Sequence, residues 1–217
     1  MLDLLTANSD VLLKGLLTTL GVSLLAIALG APLGLLLATA SRHPSTAVRG
    51  VARIYLSFWR GTPILVQLLL IFYLLPLIRI NLPPAGAAVV ALAFNTAAFQ
   101  SEIYRAGLAA IPVGEIEAAK MLGLTRRQSL IWIEIPQAIR IMLPALVGEI
   151  LALVRNSSLV SVIAVTDLTR RAQQIASSTF KPLESYAVAL IMYVAIALIL
   201  SSIGMWLERR MRCSGTV

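Results

Sequence analysis

The sequence holds one cysteine, Cys213, and one histidine, His43. A disulfide framework is therefore excluded, and so is any Cys/His metal cluster built from this chain alone. Charge is scarce as well: only 13% of the 217 residues are Asp, Glu, Lys or Arg. Signatures of catalysis are missing. There is no G-x-S-x-G, no H-E-x-x-H and no acidic pair at a spacing assignable to hydrolysis. His43 sits in a basic loop and reads as a solvated residue rather than a base. No G-x-x-x-x-G-K-[ST] occurs, so the chain does not bind ATP through a P-loop of its own. A cleavable signal peptide is not evident, because the start is acidic (Asp3, Asp10) and the apolar run from Val11 is long enough to span a bilayer.

What the chain has in quantity is apolar surface, 59% of residues with a mean hydropathy of +0.88. That is too apolar for a soluble domain, and it predicts an all-α membrane protein of about five transmembrane helices at ~20–25 residues each. The spans fall at roughly 11–40, 64–80, 85–110, 129–154 and 187–207. Residues 1–10 read as a short amphipathic segment at the membrane surface. In the first span Gly30 and Gly34 form a small-xxx-small pair around Pro32, which suits either close helix packing or a kink. Ser41 to Arg60 carries Arg42, Arg49, Arg53 and Arg60 with no acid, and Arg155 to Pro182 reads as an irregular polar segment. Tyr55, Trp59, Trp132 and Trp206, near span ends, read as interface anchors. A net charge of +8 would suit nucleic acid in a soluble protein; here it reads as basic loops facing the cytoplasm, with membrane lipid and no nucleic acid as partner.

One polar stretch, Val113 to Pro136, interrupts this pattern. Pro112 is a helix break, and acids in the next turn suit the positive end of a helix dipole. Gly123 ends that short helix, and Thr125 with Gln128 makes a capping box for the next. Ile116, Ala119, Met121 and Leu122 are the apolar candidates for a face pressed on another protein.

Glu117-Ala118-Ala119, three residues, Gly123, nine residues, then Ile133-x-Ile135-Pro136 resembles the EAA signature of ABC importer permeases, with Ile135 where Leu is usual. Other runs resemble the polar amino-acid permeases of that class: Arg60-Gly61-Thr62-Pro63; Ala97-Ala98-Phe99-x-x-Glu102-x-x-Arg105; Pro136-Gln137-Ala138-x-Arg140; and Arg155-Asn156-Ser157-Ser158-Leu159-Val160-Ser161-Val162-Ile163. The resemblance implies a single transmembrane domain over 1–217, with a coupling helix in the 113–127 loop that docks on a separate ATPase through Gly114, Glu115, Glu117, Ala118, Ala119 and Gly123. It further implies ATP and Mg on that ATPase, no cofactor in this chain, a second permease subunit (identical or paralogous), an extracytoplasmic solute-binding protein and an amino-acid substrate, in a bacterial inner membrane.

Polar groups at membrane depth are the candidates for a substrate path: Glu149, Asn95, Gln100, Asn156 and Arg155. Each has a structural alternative. Glu149 can pair with Arg140 or Arg155, and the amides can bond between helices. Glu102 and Arg105, three apart, can pair on one helix face. Counting the positive residues of 41–60, 105–127 and 208–217 gives eleven of eighteen on one side, which places the N-terminus outside and the C-terminus in the cytoplasm. Rival readings are a small membrane-embedded enzyme, for which no nucleophile or metal set is visible, and a passive channel, which needs no EAA loop.

Overall fold

Small side chains let helices approach closely, and the innermost helix of this protein is built of them. The computed structural model describes residues 8–213, with side chains as far as Met211. The expected amphipathic segment over 1–10 thus lies mostly outside the described residues, as does the side chain of Cys213. The elements in order are α1 (Ser9–Ala40), α2 (Thr46–Gly61), α3 (Ile64–Leu77), α4 (Pro84–Ala109), α5 (Val113–Met121) and α6 (Arg126–Ser129). A π-helical turn (Leu130–Glu134), α7 (Ile135–Asn156), a 3₁₀ helix (Ser157–Ile163), α8 (Leu168–Thr179) and α9 (Pro182–Cys213) complete the chain. No strand occurs among the described residues.

The centre is α4, whose Ala87, Ala88, Ala91, Ala97 and Ala98 are all buried. α1 lies along it in parallel. A Cβ on Gly30 would overlap Thr96 Cγ2 and stand 3.0 Å from Ala93 O, and one on Gly34 would stand 3.0 Å from Ala97 O. Pro32 sits inside α1 without ending it. Farther along, Arg42 Nη2 donates to Arg105 O at 3.0 Å. α7 runs antiparallel to α4, since Gly107 meets Met142 while Thr96 meets Glu149. α9 closes the bundle with Gly204 against Val147.

Three helical stretches, Ser9–Ala40, Arg126–Ile163 and Pro182–Met211, are long and apolar enough to cross a membrane, and α2 with α3 makes a fourth, broken candidate bent by 111°. α4 has 26 residues, about 39 Å at 1.5 Å per residue. The polar residues that lower its hydropathy, Asn95, Thr96, Gln100 and Ser101, are turned into protein and buried.

Two expectations need correction here. Ser41 to Arg60 is not merely a basic surface stretch: from Thr46 it is helical, with Ala52, Leu56 and Trp59 buried. Trp59 is therefore no interface anchor. It is 9% exposed and packs against Tyr55, Phe58 and Phe94 at ring distances of 5.8, 5.4 and 5.5 Å. Trp132 and Trp206 are exposed, as an anchor requires. Nor is Arg155 to Pro182 irregular. The 3₁₀ helix ends on Ala164 in the left-handed region, and Asp167 then caps α8 by accepting from Arg170 N at 2.9 Å and Thr169 N at 3.2 Å.

The α2–α3 corner is held by Gln67. Its Nε2 donates to Trp59 O (3.0 Å), Thr62 O (3.1 Å) and Thr62 Oγ1 (2.7 Å), and its Oε1 accepts from Asn95 Nδ2 (2.8 Å). Gln67 is 1% exposed. Gln67→Leu removes four hydrogen bonds and leaves Thr62 O and one N–H of Asn95 without these partners, at roughly 1–3 kcal/mol for a buried group. The detergent-solubilised variant is expected to melt at least about 4 °C below the parent; an unchanged melting temperature would contradict this role for the corner.

Candidate functional site

Most of the candidate residues fall in two clusters, one on α5 and one inside the bundle. On α5 the inward side is fixed by spacing. Ile116 and Ala119, three apart, face the same way. Ala119 is 2% exposed, and Ile116 packs on Ile111, Ala138 and Met142. Of the four apolar residues expected on the outward face, only Met121 and Leu122 are there, 89% and 80% exposed. Gly114, Glu115, Glu117 and Ala118 are exposed beside them.

The end of α5 is built by backbone chemistry. Gly123 has φ +78°, and its N–H donates to Lys120 O (3.0 Å) while Leu124 N–H donates to Ala119 O (3.1 Å). This is a Schellman motif, which needs a residue at ease with positive φ. Two residues on, Thr125 and Gln128 form the expected capping box, with Gln128 Oε1 accepting from Thr125 N at 2.9 Å. Gln137 Nε2 donates to Glu115 Oε2, tying α5 to the first turn of α7. On α4, Glu102 Oε2 takes Arg105 Nη2 at 2.6 Å, the pair expected from their spacing, and Arg60 Nη1 stands 3.9 Å from the same oxygen.

Within the bundle, Glu149 on α7 accepts from Thr96 Oγ1 at 2.9 Å. Gln100 Nε2 donates to Thr96 Oγ1 (3.1 Å), and Tyr104 OH donates to Gln100 Oε1 (2.8 Å). The result is a chain of hydrogen bonds running up one side of α4 to a carboxylate on its neighbour. No ion pair to Glu149 is found among the described residues. Neither of the two expected partners, Arg140 and Arg155, forms an ion pair with it; Arg155 is exposed and its Nε donates to Leu151 O at 3.3 Å.

Of the five path candidates, Glu149 and Gln100 are thus brought together. Asn95 belongs to the Gln67 corner, donating to Trp59 O and Gln67 Oε1. Arg155 and Asn156 sit at the end of α7, about 9 Å along the helix from Glu149. Thr96 and Tyr104 were not anticipated. Their spacing with Gln100, four residues each way, is the signal that marks one helix face. No group of three or more His, Cys, Asp or Glu able to hold a metal ion occurs among the described residues.

Comparison with known proteins identifies the family. Residues 30–213 match the family described as binding-protein-dependent transport system inner membrane component. The chain is 36% identical to the arginine transport system permease protein ArtQ of Bacillus subtilis over 93% of this chain and 92% of that one. It is also 36% identical to the glutamine transport system permease protein GlnP of Escherichia coli, covering 93% of each. Among solved structures, the crystal structure of an amino acid ABC transporter with histidines superposes with a TM-score of 0.89 at 38% identity, covering 95% of this chain and 96% of that chain. The methionine transporter MetNI shares the fold, with a TM-score of 0.78 at 20% identity over 94% of this chain and 98% of that chain. With more than four-fifths of its residues inside the family match, this chain belongs to the binding-protein-dependent transport system inner membrane components, the permease subunits of ABC importers, in which a partner ATPase hydrolyses the ATP.

Proposed function

We propose that this subunit forms, with a second permease subunit, the path of an ATP-driven amino-acid importer, and that α5 is the helix on which the ATPase acts. The chain is one transmembrane domain of five crossings, α2 with α3 counting as one, with the N-terminus outside and the C-terminus in the cytoplasm. A solute-binding protein delivers substrate on the outer side, and ATP with Mg is held by the ATPase. No chemistry is done on the substrate. Switching needs only a difference in binding energy between outward-open and inward-open states.

The observation that carries this reading is the exposed Met121–Leu122 end of α5, on a helix capped at Gly123 and tied to the bundle through Glu115 and Gln137. Exposed apolar side chains on a short capped helix fit a groove on a partner protein. Orientation is supported by the positive charge along the α1–α2 and α4–α6 connections, Arg42, Arg49, Arg53, Arg105, Lys120, Arg126 and Arg127, with Arg42 Nη2 bonded to Arg105 O. The test is to tag the chain in its native membrane, extract it in mild detergent and identify what co-purifies. Co-elution of a P-loop ATPase is expected, and the presence or absence of a second EAA-bearing chain decides between homodimer and heterodimer. Recovery of this chain alone, under conditions that preserve other ABC complexes, would overturn the reading.

Along the path, Glu149 is the residue to contact a substrate ammonium or guanidinium group, with Gln100 and Thr96 setting its carboxylate. Asn156 and Arg155 stand toward the outer end of the same helix. Glu149→Gln keeps an acceptor for Thr96 and removes the charge. A hydrogen bond to a charged group contributes about 1.5–3 kcal/mol. Uptake of arginine and lysine should therefore fall by about tenfold or more, with the complex still assembled. Unchanged uptake kinetics for both would remove Glu149 from the path.

A further inference from the structure

Between α6 and α7 the backbone does not continue as an α-helix. Pro136 has no N–H to give to Trp132 O, and its ring displaces that carbonyl. The chain responds with the π turn over Leu130–Glu134, in which Ile135 N–H reaches back to Leu130 O. π turns inside helices mark points where an extra residue has been accommodated, often at functional sites.

Glu134 lies in this turn and is only 4% exposed. The EAA pattern leaves its position open, as the residue between Ile133 and Ile135. A buried carboxylate is costly unless it is paired and hydrogen-bonded. Its Oε1 accepts from Ser129 Oγ at 3.1 Å and from Arg126 Nη1, both on α6. The Arg126 side chain is 65% exposed, so the pair joins a surface element to the start of a membrane crossing.

The connections form a continuous lever. α5 ends in the Schellman motif, and α6 follows through the Thr125 capping box. Arg126 and Ser129 bind Glu134, and α7 then runs unbroken to Glu149, fifteen residues on, about 22 Å along the helix. We propose that Glu134 is a positioning residue for transport: paired with Arg126, it clamps the π turn so that displacement of α5 swings α7 instead of being absorbed in the turn. The inference rests on the reading that α5 receives the motion of the ATPase.

The experiment uses the whole complex purified from native membrane and placed in proteoliposomes with its binding protein. ATP hydrolysis is measured beside uptake of an equimolar mixture of tritiated amino acids. Glu134→Ala is expected to co-purify with the ATPase and hydrolyse ATP, while uptake per ATP falls by about tenfold. Glu134→Gln, which keeps both hydrogen bonds but not the charge, should fall in between, and it serves as the test if the alanine variant fails to assemble. The charge swap Arg126→Glu with Glu134→Arg should recover part of the lost ratio. An unchanged ratio of uptake to hydrolysis in the Gln variant, or in the Ala variant when it assembles, overturns the inference. Absence of any ATPase from the wild-type preparation overturns instead the reading of α5 on which it rests.

Discussion

Gly30→Leu will sharply reduce the amount of assembled protein in the membrane. A side chain at this position has no room: its Cβ alone overlaps Thr96 Cγ2 and stands 3.0 Å from the carbonyl of Ala93. Neither neighbour can yield cheaply. Ala93 O belongs to the backbone of the central helix, and Thr96 is held by hydrogen bonds with Glu149 and Gln100. Without hydrophobic driving force between helices in lipid, association depends on such close packing. Overpacking costs about 1–3 kcal/mol in a core that can adjust, which corresponds to a fall in melting temperature of about 2–12 °C. The control lies in the same helix: a Cβ on Gly21 meets nothing within 4 Å, and Gly21→Leu is expected to preserve yield and melting temperature. The measurement is the monodisperse fraction and thermal midpoint of the solubilised complex. Equal behaviour of the two variants would show that the α1–α4 contact is not what holds the bundle.

Gly123→Val is the second large effect, and its signature is different. Nothing lies within 4 Å of a Cβ at this glycine, so no clash with the rest of the chain arises. The cost is in the backbone, whose φ of +78° is unfavourable for an L-residue by roughly 1–2 kcal/mol, and a β-branched side chain is worse still. The Schellman bonds to Lys120 O and Ala119 O are then lost and the last turn of α5 frays, carrying Met121 and Leu122 with it. The bundle should keep its melting temperature within about 2 °C, because α5 contributes little to the core. ATP-driven uptake should drop by about tenfold or more. Asn tolerates the left-handed region, so Gly123→Asn should retain more uptake than Gly123→Ala, and Gly123→Val least. Transport by the Val variant at the parental rate would remove the α5 terminus from coupling; a dependence on side-chain volume rather than on backbone preference would point to a docking contact instead.

These two glycines illustrate where the sequence was readable. Gly123 declares itself within a few residues, since its partners are the carbonyls of the preceding turn and the cap of the next helix. The Thr125–Gln128 box and the Glu102–Arg105 pair are likewise local, and all three features stand in the structure as the spacing implied. The helix over Leu168–Thr179 was equally open to such a reading, because Asp167 stands at its cap, but polar composition masked it. Gly30 and Gly34 signal close approach without naming what approaches. That Thr96 and Ala93 fill the space is a property of how α1 is rotated on α4.

Amino-acid order alone determined that the chain is helical, membrane-embedded and permease-like, and that a capped polar helix interrupts it. The helical, membrane-embedded and capped-helix conclusions depend on composition, on hydropathy over twenty or so residues and on bonds that close within one turn, whereas the permease reading rests on the resemblance carried by the EAA pattern and the motifs around it. Partners on other helices were decided by tertiary structure. Trp59 is core rather than anchor because α2 folds 111° against α3 and turns it inward. Asn95 and Gln100, five residues apart on one helix, point to different neighbours, the Gln67 corner and the Thr96–Glu149 pair. Glu149 takes a threonine hydroxyl rather than an arginine because α7 crosses α4 where Thr96 stands. Crossing angle and helix rotation arise from the packing of whole surfaces, and no short stretch of sequence contains them.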